Sequence, residues 1–207
     1  MGEFDQGDFT NLDLLHHLTA GVKSFATEMC YVGLDEMRQA CGGAGFLLSA
    51  GLSDWWSDIA PFPTFEGVNA VMAQQASRLV FKNQRKVLKG KKPDPLFAYL
   101  AQANDLVASK SSATTVAEFL DMDHIETTLA ARAAHAVKEI HAAMQASELH
   151  NKIKENEVFA LDVSRMTRLH LIYVSFKLSC ALLKETTFTD DKVLHYLRLG
   201  LKVFALK

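Results

Sequence analysis

Two short segments of this 207-residue chain hold the residues best suited to chemistry. The first is Gln39-Ala40-Cys41-Gly42-Gly43-Ala44-Gly45-Phe46. The second is Pro63-Thr64-Phe65-Glu66-Gly67-Val68-Asn69, which leads into Val71, Met72, Gln75 and Arg78. Gly42, Gly43 and Gly45 strip side chains from a turn, so another backbone or a ligand can come close. Gln39, just before them, offers both a donor and an acceptor. Glu66 stands between an aromatic residue and a glycine at the predicted start of a helix, where the helix dipole stabilises a carboxylate. Set against an apolar pocket, such a carboxylate has a raised pKa and becomes a usable base. Taken singly, each segment has a plainer reading: a glycine-rich turn is usually only a turn, and a glutamate at a helix start is usually only a cap.

The elements that must position these residues are predicted to be helices. The four prolines, Pro61, Pro63, Pro93 and Pro95, cluster in two short stretches and mark the breaks. A first helix is expected from near Thr10, with Asp13 completing an approximate capping box and Leu14, Leu15, Leu18, Val22, Phe25 and Met29 at helical spacing. A shorter run, Leu34 to Cys41, ends at Gly42-Gly43. Residues 44 to 65 read as irregular. A second long helix begins close to Glu66 and fades in the basic stretch Lys82 to Lys92, read as a solvated helix end and linker. A short helical piece follows Pro95, then a Ser/Thr-rich loop from Lys110 to Thr115. An Ala-rich helix is expected from Val116 to about Leu149, with Ile125, Leu129, Ala133, Val137, Ile140 and Met144 in register. Another is expected from about Val158 to Leu183, with Val163, Met166, Leu169, Tyr173 and Phe176. Thr189-Asp190 is expected to cap a last helix with Val193, Leu197, Leu201 and Phe204. That pattern runs to Lys207 without a stop signal, which predicts a fragment, a gene-model product or a divergent short form.

Composition narrows the function classes. Hydrophobic residues make up 49% and charged residues 22%, as in a globular protein with a real core. A net charge of −2 argues against a nucleic-acid binder. The acidic, polar opening MGEFDQGDF does not read as a signal peptide. No apolar run approaches the roughly 18 residues of a membrane span. Cys30, Cys41 and Cys180 are not at metal or redox spacing and read as buried thiols in a reducing compartment. The histidines, among them His16-His17, His135 and His141, lack partners for a ligand set, so no metal site is expected. Trp55-Trp56 reads as an aromatic plug, with an acyl-tunnel lining or a subunit contact as alternatives.

In order, spacing and flanks, the two segments together resemble the acyl-CoA oxidase family of the acyl-CoA dehydrogenase superfamily. Oxidases carry a run like R-x-A-C-G-G-H-G-Y, then S-G-L-P, then T-F-E-G-E-N-T-V-M, then Q-x-x-R-x-x-x-K. This chain has Arg38 through Phe46, Ala50-Gly51-Leu52-Ser53, Thr64 through Met72, then Gln75, Arg78 and Lys82. Leu18-Thr19-Ala20-Gly21-Val22-Lys23 also resembles the oxidase helix upstream. The likeness is strong over roughly residues 15 to 85. Ala44, Phe46, Ser53, Val68 and Ala70 depart from the family pattern.

The resemblance implies an all-α fold: a helical bundle of the acyl-CoA oxidase C-terminal type over residues 1–92, carrying both motifs, and a second helical region over 93–207. It implies FAD as cofactor and oxidation of a fatty acyl-CoA to the trans-2-enoyl-CoA. Glu66 would be the base that takes the α-proton, and O2 the acceptor that yields hydrogen peroxide. Gln39, Gly42 and Gly43 would contact the ADP part of a flavin held by a neighbouring subunit, with Gly67 and Asn69 also near a flavin. A homodimer or a larger complex in a peroxisome follows from the same likeness, with a mitochondrial setting as the alternative. The chain's Ala205-Leu206-Lys207 end is not a Ser-Lys-Leu type of peroxisomal address. Relatives also carry an amino-terminal helical domain and a β-domain that hold most of the flavin. A second reading is therefore a cofactor-free, oxidase-like subunit with a structural role in an assembly.

Overall fold

A computed structural model describes residue 9 and residues 11–150, 153–188 and 190–206. Among these, helices and the turns joining them make up the chain, with no strand, as the sequence predicts. The expected helix start at Thr10 and the Thr189 half of the last cap lie outside the described residues. The chain divides into two compact units, Met1–Leu79 with Lys152–Thr167, and Val80–Asn151 with Arg168–Lys207.

The first unit is organised by a 29-residue helix, α1, Leu12–Ala40. Two helical runs were expected here, and the structure joins them. Gly33 costs about 1 kcal/mol relative to alanine inside a helix, which tertiary contact along the rest of α1 offsets. The buried stripe is His17, Ala20, Gly21 and Phe25. Leu15 and Val22, expected on the apolar face, are exposed. The contact face thus combines a histidine and two small residues, which let a neighbouring helix come close, with Phe25, which was expected on the apolar face.

After α1 the chain forms short 3-10 turns at Gly42–Phe46 and Leu48–Ala50, then a helix α2, Leu52–Ile59. Residues expected to be irregular are therefore partly helical. Gly51, at φ 74°, makes the reversal, and the next eight residues hold neither glycine nor proline. Helix α3, Asn69–Leu88, starts later than Glu66. Glu66 and Gly67 have φ of 55° and 100°, values that no right-handed helix accepts.

At the end of α3 the lysine run is only partly solvated. Lys86 Nζ meets Asp94 Oδ1 at 2.6 Å, while the buried Asn83 accepts from the Asp94 amide at 2.8 Å. The Lys86 ammonium, bonded to Asp94, holds that carboxyl below the usual range.

In the second unit, a 3-10 stretch Pro95–Gln102 leads into α4, Ala103–Ala108. The long Ala-rich helix expected from Val116 is two: α5, Val116–Phe119, and α6, Met122–Ala146. Asp121 causes the break. Its carboxylate accepts from the amides of Asp123 and His124, which starts a new helix. The register expected for α6 holds, because Ile125, Leu129, Ala133, Val137 and Met144 are all buried. A π-helical turn, Lys154–Val158, which belongs to the first unit, precedes α7, Ala160–Glu185, and the chain continues to α8, Asp191–Leu206.

The core of this unit includes Phe81, Phe97, Leu100, Val137 and Phe176, each contributing about 1.5–3 kcal/mol by burial. His170 is stacked on Phe97 at 5.1 Å, and its Nδ1 pairs with the Tyr99 hydroxyl at 2.8 Å. Burial, and secondarily Tyr173, push the Tyr99 phenol up, so it stays neutral. Of the three cysteines only Cys180 is buried, whereas Cys30 and Cys41 are exposed. Cys30 lies on the solvent side of α1 and Cys41 just past its end, so two of the three expected buried thiols face water. No helix among the described residues is long and apolar enough to cross a membrane.

Candidate active site

Both segments singled out in the sequence lie in the first unit, attached to α1 at different heights. The glycine turn follows directly on the C-terminal end of α1. Gly42 is in the left-handed region at φ 58°. A Cβ at Gly42 or Gly43 would meet nothing within 4 Å, so this stretch of backbone is open to a partner. Gly45 differs: it is buried, and a Cβ there would lie 1.9 Å from the Arg38 carbonyl oxygen. The turn folds back onto the last turn of α1 at that point, and only glycine permits it. The Ser53 hydroxyl donates to the Gly45 carbonyl at 3.0 Å, so the serine that stands in place of the family's proline fastens the same turn.

Gln39 is exposed, and its Nε2 donates to Asp35 Oδ2 at 2.6 Å. Arg38 pairs with the other Asp35 oxygen at 2.7 Å. The Arg38 guanidinium first, then the Gln39 amide, hold the Asp35 carboxyl below its usual range. Arg38 also lies over the Trp56 ring at 5.8 Å, and Trp56 is tilted against Tyr31 at 5.5 Å. Trp56 thus packs α2 against α1, while Trp55 is exposed.

The turn that carries Glu66 runs from Pro61 to Val68. Phe62 and Phe65 meet edge to face at 4.8 Å, and the Asn69 amide donates to the Pro63 carbonyl at 2.9 Å, closing the loop. Glu66 sits at its tip with an exposed side chain. The apolar pocket that would raise the pKa of this carboxylate is not formed around it by the described residues. A non-glycine residue in the left-handed region costs roughly 1–2 kcal/mol, so something must hold Glu66 there.

What holds it comes from α1. Lys23 Nζ donates to the Gly67 carbonyl at 2.6 Å and to Asn69 Oδ1 at 2.9 Å. Thr27 donates to the same Oδ1 at 3.1 Å, and Asn69 Nδ2 donates to Glu28 Oε2 at 3.2 Å. Ser24 donates to the Asn69 carbonyl at 2.9 Å. Asn69, expected near a flavin, is buried with both ends of its amide bonded to α1. Lys23, Ser24, Thr27 and Glu28 were not singled out in the sequence. Their signal is a polar stripe at i, i+1, i+4 and i+5 on an otherwise amphipathic helix. Further along, His17 Nδ1 donates to the Ala76 carbonyl at 2.7 Å and ties α1 to α3; burial lowers its pKa.

The structure therefore brings Glu66, Gly67 and Asn69 together and leaves Gln39, Gly42 and Gly43 elsewhere. Asn69 is anchored beside residues 23 to 28 of α1, and the glycine turn packs beyond residue 38. At 1.5 Å per residue the two places are roughly 20 Å apart along the helix axis. The two motifs do not face each other across one slot.

Residues 1–81 match the family described as acyl-CoA oxidase, C-alpha1 domain. Peroxisomal acyl-coenzyme A oxidase 1 of Mus musculus is 34% identical over 180 residues, covering 83% of this chain and 27% of that protein. The chain belongs to the acyl-CoA oxidase family. The structure of Arabidopsis thaliana acyl-CoA oxidase 1 superposes with a TM-score of 0.89 at 26% identity, covering 99% of this chain and 31% of that one. Acyl-CoA oxidase-1 of Caenorhabditis elegans, solved in complex with FAD and ATP, superposes with a TM-score of 0.72 at 24% identity, covering 99% of this chain and 30% of that one, and supports the fold alone. The chain spans less than a third of the length of these relatives. Its helices match the helical C-terminal region of the oxidases.

Proposed function

We propose that this chain supplies the base and one flavin-facing turn of an FAD-dependent acyl-CoA oxidase, which converts a fatty acyl-CoA to the trans-2-enoyl-CoA. The observation that carries this reading is Glu66 at the tip of the T-F-E-G turn, forced to φ 55° and held by a lysine–asparagine clamp. A carboxylate kept in a costly conformation at a loop tip suits a group aimed at a partner. Glu66 would take the α-proton of the thioester, a weakly acidic position that needs a well-placed and desolvated base. The apolar wall around it would come from the substrate's acyl chain and from the segments that the longer relatives carry. The chemistry FAD supplies when bound is acceptance of the β-carbon hydride, with O2 as final acceptor giving hydrogen peroxide.

The open backbone at Gly42-Gly43 fits a cradle for the ADP part of a flavin, because a Cβ at either residue would meet only empty space. The separation along α1 suits two different flavins, one facing Glu66 and one, held by a neighbouring subunit, facing Gln39, Gly42 and Gly43. That arrangement calls for a homodimer or a larger complex. A peroxisomal setting follows the mouse relative, with a mitochondrial one as the alternative. The division into residues 1–92, with both motifs, and 93–207 belongs to the same reading.

A specific observation favours a second reading: Glu66 is exposed, and Val68 and Val71 beside it are exposed apolar residues, a surface that suits contact with another protein. In that reading the chain is a cofactor-free structural subunit. Visible absorbance of the purified assembly separates the two. A stoichiometric flavin spectrum, bleached by acyl-CoA, supports the oxidase. Colourless protein that FAD and acyl-CoA cannot reconstitute supports the structural subunit.

A further inference from the structure

The clamp on the Glu66 turn has a chemical consequence that rests on the base reading above. Glu66 lies between two fixed points. On one side, the Pro63 carbonyl is bonded to the Asn69 amide; on the other, the Gly67 carbonyl is bonded to Lys23. Asn69 is itself gripped by Lys23, Thr27, Ser24 and Glu28 of α1. Lys23 reaches both the peptide after Glu66 and the asparagine that closes the loop. Its two contacts, the Gly67 carbonyl and Asn69 Oδ1, are on the α1 side of the turn. Its charge-assisted bonds are of the stronger kind, and they leave the Glu66 and Gly67 torsions little freedom. We propose that Lys23 is a positioning residue: through the Gly67 carbonyl and Asn69 it holds the left-handed turn that aims the Glu66 carboxylate at the substrate α-carbon.

The position of the turn and the chemistry can be read separately. Amide hydrogen exchange on the full chain reports the turn, because the amides of Thr64, Phe65 and Asn69 are bonded within it. In Lys23→Met these amides should exchange about ten-fold faster, while amides of α6 in the other unit keep their rates. Thr27→Val, which removes one weaker donor, should quicken the same amides by a smaller factor and guards against a Lys23→Met chain that fails to fold. In the flavin-loaded assembly, Lys23→Met should lower kcat about ten-fold with KM little changed, since positioning acts in the transition state. Lys23→Arg, which keeps a charged donor, should restore most of that loss. Unchanged exchange of Thr64, Phe65 and Asn69 in Lys23→Met would overturn the clamp. A loss confined to KM, or one that Lys23→Arg does not relieve, would overturn the positioning role. Turnover retained in Glu66→Gln would instead remove the base reading, and the exchange result would still decide the clamp.

Discussion

The two turns attached to α1 are held by opposite means. The glycine turn is fixed by closeness: Gly45 lies against the Arg38 backbone, with one serine hydroxyl as its fastening. The Glu66 turn is fixed by polar side chains, Lys23, Thr27 and Glu28 acting through Asn69. A turn held by closeness tolerates no added atom at the contact but is indifferent to charge. A turn held by donors and acceptors tolerates changes of volume better than the loss or reversal of a donor. Substitutions can set the two against each other.

The largest effect is expected at Gly45. Gly45→Ala places a methyl inside van der Waals contact with backbone that cannot step aside, and should cost about 3 kcal/mol or more in thermal or urea unfolding. Gly43→Ala, with open space around it, should change stability by less than about 0.5 kcal/mol. Equal costs at the two positions would remove the claim that closeness holds this turn.

Next in size is Asn69→Asp. The new carboxylate keeps its acceptor for Lys23 but loses the donor to Glu28 and sets two carboxylates about 3 Å apart. Unfolding measurements should show a loss of roughly 1–3 kcal/mol. Glu28→Gln, which removes the like charge, should recover part of that loss in the double variant, whereas simple additivity would deny the contact.

Much of this frame was legible in the sequence, and the exceptions have physical causes. The α6 register could be read because Ile125, Leu129, Ala133 and Val137 follow one period and every one is buried. The stripe on α1 could not, since its buried members include His17 and Gly21 while Leu15 and Val22 face out. Periodicity counts large apolar side chains, and apart from Phe25 this buried stripe is made of small and polar ones. The break at Asp121 was hidden for a related reason: a capping carboxylate and a solvated one have the same letter. Glu66 and the glycine turn were legible as motifs, but their separation along α1 was not. That distance depends on α1 running unbroken through Gly33. Lys23 had a place in the family likeness and no role, because a lysine that donates to a carbonyl 44 residues away looks like any solvated lysine.

A smaller effect concerns pH and the bond that joins α1 to α3. Burial depresses the His17 pKa below 6.5, so its contribution is present above that value and is lost as pH falls through the folded pKa. His141, partly buried beside Arg85, is depressed as well. Asp35, Asp94 and Glu118 are depressed from lower starting values, so their loss begins only below about pH 5. The urea midpoint should therefore fall between about pH 7 and pH 5, and fall less in His17→Gln, which keeps a donor that does not titrate. An identical drop in both proteins would assign the effect to other groups.

The smallest effect is expected at Ser53. Ser53→Ala removes one hydroxyl bond to the Gly45 carbonyl and should cost about 0.5–1.5 kcal/mol, well below the cost of Gly45→Ala. A larger cost than that of Gly45→Ala would make the hydroxyl, not closeness, the main fastening of the turn.

Proton removal at the α-carbon is the step this account assigns to a single carboxylate. The direct measurement is release of deuterium from the α-carbon of a fatty acyl-CoA by the assembly containing this chain, compared with the same assembly carrying Glu66→Gln. The account predicts rapid release with Glu66 and a rate lower by about 10³-fold with glutamine, at unchanged helix content. Equal release rates in the two would contradict it.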